Sequence, residues 1–199
     1  MKRTLFFASL LILTSCISIA KTIYGIKDPK IETKESIQKY ANSIDMNSQN
    51  ILLVKDKNAY KPMLQEFQRS IPEAVLFDSN GNRVTYKSNS QDCNAGLFAT
   101  IPKLTPNTKL EQQSGKNLND FTENLVNLNN NKVENLPKAD FYLFLNWAKF
   151  MGKLNKDHVR IWEELAKNNK DVNIAVYKVN MDFLDTWDLK DKNFKMITK

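Results

Sequence analysis

Two nearly unbroken apolar runs, Phe141 to Ala148 and Val172 to Asn180, flank a stretch in which Val159, Trp162, Leu165 and Ala166 recur at helical spacing. An apolar run of this length has no polar face to show to water, so it belongs to a strand covered on both sides. Such strands pair in parallel beneath helices. This strand-helix-strand unit within Ala139 to Asp182 constrains the chain more than any other feature and predicts an α/β layer fold. The chain has 199 residues, 42% of them hydrophobic, enough to close one core without a disulfide or a structural metal.

The upstream sequence supplies further layers. Thr33 is placed to cap a helix whose Ile37, Tyr40, Ala41 and Ile44 fall on one face. Ile51 to Val54 predicts a buried strand, followed by a helix capped by Asn58 with Tyr60, Met63, Leu64 and Phe67 inward and Pro62 in its first turn. Between Ser70 and Lys87, two apolar segments flank Asn80-Gly81, the pair that supplies positive φ angles to a tight hairpin. Asp78, Asn80 and Asn82 alternate as in a calcium loop, but a downstream bidentate glutamate at the right spacing is missing, so they read as turn residues.

Residues 88–96 read as loop, and Leu97, Phe98 and Ile101 as one helical turn packed on the sheet. Residues 103–117 read as a surface excursion. Leu118, Phe121, Leu125 and Leu128 predict an amphipathic helix ended by the Asn129 to Asn131 run. The sum is a mixed sheet of about five strands with helices on both faces.

The N-terminus has a different character. Lys2 and Arg3 precede an apolar run from Leu5 to Leu13 that is far too short to span a bilayer, which is the pattern of an export signal. It ends in Leu13-Thr14-Ser15-Cys16, which resembles the lipobox of bacterial lipoproteins. That resemblance implies cleavage after residue 15, a lipid on Cys16 and a mature chain held at a membrane of the cell envelope, facing periplasm or exterior. Ordinary secretion after cleavage at Ala20 is the alternative, because Ser18-Ile19-Ala20 also fits a small-x-small site. Residues 16–32 then read as a tether, with Ile23 to Ile26 able to dock as an edge strand, and 33–199 as a single domain.

Loss of Lys2 and Arg3 lowers the formal charge from +7 to +5. The lysines are spread along the chain, and export separates it from nucleic acid, so no nucleic-acid partner is expected. The expected partners are the membrane, through the N-terminal lipid, and another envelope protein.

The strand ending in Trp147, the following loop and helix, and the strand ending Val179-Asn180-Met181-Asp182 resemble the active-site half of a thioredoxin-like domain. Ile71-Pro72, entering a strand, an Asn-Gly turn and a second strand, resembles the thioredoxin segment that begins with a cis proline beside the active site. In that family a Cys-x-x-Cys pair follows the tryptophan, one thiolate attacking and the other resolving the mixed disulfide. Here those positions hold Ala148 and Met151, so the resemblance implies a framework without its redox pair. The proline hairpin also precedes the strand-helix-strand unit, which implies a circular permutation or one accidental likeness.

With Cys16 acylated, Cys93 is the one free thiol and the one candidate for thiol catalysis. Asp92 and Asn94 beside it supply no cation to lower its pKa, so it reads first as structural or incidental. His158, the sole histidine, reads as a surface or capping residue, and no metal-ligand set accompanies it. Asp182, Asp185, Asp188 and Asp191 recur every third residue and read as a solvated stripe. Trp147, Trp162 and Trp187 read as core, and no cofactor motif is present.

The leading expectation is therefore a lipid-anchored binding or assembly module with Trp147, Phe150, Met151 and Pro72 as contact residues. The alternatives are a thiol oxidoreductase or peroxide-reactive protein using Cys93, and a secreted domain binding a small ligand in the cleft between Trp147 and Pro72.

Overall fold

A computed structural model describes residues 21–87 and 94–189. In chain order the strands are β1 (Ile31–Glu32), β2 (Ile51–Val54), β3 (Ala74–Asp78), β4 (Arg83–Val84), β5 (Leu125–Asn127), β6 (Phe141–Trp147), β7 (Ile174–Asn180) and β8 (Phe183–Leu184). The α-helices are α1 (Lys34–Ser43), α2 (Lys57–Glu66), α3 (Gly96–Thr100), α4 (Leu118–Thr122) and α5 (Ile161–Asn168). A π-helical turn, Asn155–Arg160, leads into α5.

The main sheet has six strands in the order β4-β3-β6-β7-β2-β5, and β1 pairs with β8 in a second, two-stranded sheet. β7 lies parallel to β6 and β2, whereas β3 runs antiparallel to β6 and the two edges, β4 and β5, are antiparallel to their neighbours. This is the α/β class with the mixed sheet that the sequence predicts. It has six strands rather than five because Leu125–Asn127 pairs with β2 instead of continuing a helix. Leu118 to Leu128 is therefore a one-turn helix followed by an edge strand. Free backbone groups along β2 offered Leu125 and Val126 a ladder, and this outweighed a helical pattern only four apolar residues long.

Helices cover both faces. On one, Phe67 at the end of α2 and Phe121 of α4 meet edge to face, and Phe121 packs on Phe77 of β3 and Phe144 of β6 with ring centroids 5.3 and 4.8 Å apart. On the other, Glu163 of α5 reaches Lys178 of β7 and Tyr40 of α1 stacks on Trp147 of β6. All of β2 and all of β6 are buried, as their apolar runs require.

Local signals account for most boundaries. Thr33 caps α1 by accepting the Ser36 N–H at 3.1 Å. The α2 cap is Asp56 rather than Asn58: its carboxylate accepts the N–H groups of Asn58 and Ala59 at 2.8 and 2.9 Å. A carboxylate there also meets the positive end of the helix dipole. Pro62 consequently lies inside α2 rather than in its first turn. In the β3–β4 turn Gly81 has φ +80°, and the Asp78 carboxylate accepts the N–H groups of Asn80 and Asn82, so it serves the turn.

Candidate functional site

β6 and β7 end side by side, and the polar groups of the domain's interior concentrate there. Trp147 is fully buried, its ring stacked on Tyr40 at 6.1 Å, and Ala148 beneath it is also buried. Lys149–Met151 then forms a single 3₁₀ turn. Asn155 ties this turn down from the next helix, donating to the Ala148 carbonyl at 2.8 Å and the Tyr40 hydroxyl at 3.1 Å. Tyr40 in turn donates to the Gly152 carbonyl at 3.0 Å.

Asp182, two residues beyond β7, lies under the same turn and is 1% exposed. One carboxylate oxygen accepts the Lys149 backbone N–H and the Asn180 side-chain amide, each at 2.8 Å. Burial pushes the Asp182 carboxyl up to about 6, because its two hydrogen bonds do not make up for lost hydration. The nearby Glu32 charge pushes in the same direction. Tyr60 is pushed up to about 12, first by burial and then by Asp182. The expected solvated stripe is thus corrected at its first member: Asp182 is core, whereas Asp185 and Asp188 are exposed and Asp191 lies outside the described residues. The signal that could have separated Asp182 is its position, directly after an apolar strand and before the buried Phe183-Leu184.

The chain covers this turn with its own N-terminal segment. Residues 21–24 are helical, and the carbonyls of Tyr24 and Gly25 then lie against Gly152. The Lys27 N–H donates to the Phe150 carbonyl at 2.8 Å. Further on, β1 pairs in parallel with β8, and Glu32 forms an ion pair with Lys149 and accepts a hydrogen bond from the Ser36 hydroxyl. Burial alone would raise the Glu32 carboxyl, but the bonds from Lys149 and Ser36 outweigh it and hold the group below its ordinary range. Gly152 is essential to this approach: its φ is +57°, and a Cβ built there would stand 2.3 Å from the Tyr24 oxygen and 2.5 Å from that of Gly25. Ile23 to Ile26 therefore docks through a helical turn and a bend, and the strand in this region is Ile31–Glu32.

On the other side of Trp147 lies the start of β3. The Ile71-Pro72 bond is cis. Asn146 fixes this segment to β6, accepting the Glu73 N–H on its side-chain oxygen, donating its side-chain amide to the Ser70 carbonyl at 2.7 Å and its backbone N–H to the Glu73 carbonyl at 2.9 Å. Pro72 and Trp147 thus stand level at one end of the sheet. Glu73 is buried with Lys87 at 2.9 Å and also accepts the Tyr86 hydroxyl. The side chain of Asn94 donates to the Pro72 carbonyl at 2.6 Å.

Of the expected contact residues, Trp147 and Pro72 are buried, while Phe150 and Met151 keep partial exposure. Cys16 and Cys93 lie outside the described residues. His158 departs from the surface or capping role: it is half-buried, 5.6 Å from Phe98 and 5.3 Å from Trp162 between ring centroids. No group of three or more His, Cys, Asp and Glu able to hold a metal occurs among the described residues. An open groove of about 940 Å³ lies elsewhere, along β5 and residues 130–136.

The arrangement is that of an α/β domain whose polar interior gathers at the carboxyl ends of two parallel strands. No family model matches the chain, no curated protein matches it, and no solved structure matches it.

Proposed function

We propose that the protein is a lipid-anchored cell-envelope protein whose thioredoxin-like domain lacks its redox pair and acts as a binding or assembly module. The observation that carries this reading is the turn after Trp147. Ala148 and Met151 stand at the positions where the resemblance expects two thiols, and the chain's own residues 24–27 lie against Phe150 and Gly152 of the same turn. Neither side chain can form a thiolate, and the cover restricts any disulfide substrate that would need to approach. The level placement of Pro72 and Trp147, and the spatial order β4-β3-β6-β7, support the permuted form of the resemblance. No described helix is long and apolar enough to cross a membrane, so on this reading the attachment falls to the lipid on Cys16.

A second reading, thiol chemistry at Cys93, has one observation in its favour. Asn94, which follows Cys93 in the sequence, donates its side-chain amide to the Pro72 carbonyl, at the end of the sheet where Trp147 lies.

One experiment separates these readings: the mass of the mature N-terminal peptide, taken together with disulfide-reduction and peroxidase assays on the native chain. The expected result is an acylated Cys16 and turnover indistinguishable from that of the Cys93→Ala variant. An unacylated chain beginning at Lys21 contradicts the anchor, and turnover that disappears in Cys93→Ala contradicts the binding role.

A further inference from the structure

Among the described residues, the exposed large hydrophobic side chains are Ile23, Tyr24 and Ile31, 57%, 36% and 53% exposed. All three fall within nine consecutive residues. Lys27 and Lys30 in the same stretch, and Lys21 two positions before it, are exposed as well, against one exposed acid, Asp28. Apolar side chains interleaved with lysines form the composition that settles at the headgroup boundary of an anionic bilayer.

The segment is not a loose tail. It is bonded to Phe150 through Lys27, pressed on Gly152, paired with β8 and joined to Lys149 by Glu32. Whatever holds this stretch also orients the whole domain.

Its place in the chain decides the occupant. Lys21 stands five positions after Cys16, and five fully extended residues span at most about 18 Å. A lipid on Cys16 therefore keeps the helical turn at 21–24 within that reach of the membrane surface in every conformation of the linker. We infer that residues 21–31 form a bilayer-docking face for anionic phospholipid headgroups, an inference that rests on the lipid-anchor reading above. Ile23 and Tyr24 enter the interface, and Lys21, Lys27 and Lys30 meet the phosphates. The carboxyl ends of β6 and β7 then face the membrane. Residues 170–173, at the opposite end of two seven-residue strands, stand about 20 Å further out.

The test uses the full lipidated chain in vesicles of phosphatidylcholine and phosphatidylglycerol. A fluorophore is placed at Asp28→Cys or, as the distal control, at Lys170→Cys, both in a Cys93→Ala background. Acylated Cys16 has its sulfur in a thioether and takes no label. Headgroup-borne nitroxide lipids are expected to quench position 28 at least about threefold more than position 170. Adding Ile23→Asp with Tyr24→Asp should lower quenching at 28 to the level at 170. Equal quenching at the two positions in a chain whose mass proves acylation overturns the docking face and leaves the anchor standing. It would also leave the patch open to a protein. A chain cut after Ala20 that shows no quenching overturns both.

Discussion

Glu163 and Asp182 are carboxylates almost equally removed from water, 4% and 1% exposed, yet the protein treats them in opposite ways. Glu163, in α5, receives the ammonium of Lys178 at 2.6 Å and that of Lys167 at 3.3 Å. Asp182 receives a backbone N–H and a neutral amide, while the ammonium of Lys149, whose backbone N–H it binds, is paired with Glu32 instead. The first is a fastening between helix and sheet. The second is a carboxyl lifted to about 6, within reach of mild acid, under the turn that the N-terminal segment closes. Burial alone does not set the behaviour of an interior charge. The sign and distance of its partners do.

The largest effect is expected where the fastening is cut. Glu163→Ala leaves Lys178, 1% exposed, without its principal counter-charge. Burial already holds the Lys178 pKa below its ordinary value despite Glu163. Loss of about 3–5 kcal/mol in denaturant unfolding is expected, and a loss below 1 kcal/mol would mean that water reaches Lys178.

Asp182 should respond more weakly and in a way that depends on pH. Its carboxyl is raised in the fold, from 3.8 to about 6, so the folded state binds more protons than the unfolded state between those values. Stability from this group is therefore fully present below pH 3.8 and falls as pH rises through about 6. Asp182→Asn keeps an acceptor oxygen for the Lys149 N–H and removes the charge. Its stability relative to the native chain should rise between pH 4 and pH 7 by up to about 3 kcal/mol. A difference that stays flat with pH would show that Asp182 is solvated in the fold.

Much of the architecture was legible because it depends on local pattern. Thr33, the Ile51 to Val54 run, Asn80-Gly81 and the two long apolar strands each carry their own signal, and each forms the element expected. Misreadings arose where a distant partner decided the outcome. Leu125 and Val126 became an edge strand because β2 was free to receive them, and Asp56 displaced Asn58 by being placed one residue before the helix. Asp182 looked like a member of a charged stripe until β7 carried it beneath residues 148–152. The cover over that turn was the least legible feature. It joins residues more than a hundred positions apart, and its one trace in the sequence is Gly152, a glycine whose need becomes apparent only when the Tyr24 and Gly25 carbonyls are seen against it.

Closure of the turn after Trp147 by the N-terminal segment is read out by amide hydrogen exchange at Lys27 in the native chain and in Gly152→Ala. The Lys27 N–H is bonded to the Phe150 carbonyl at 2.8 Å and should be protected in the native chain. A methyl group at position 152 meets both carbonyls and a positive φ, so exchange at Lys27 should quicken by about tenfold or more while β6 keeps its protection. Equal exchange at Lys27 in the two proteins would contradict the closure.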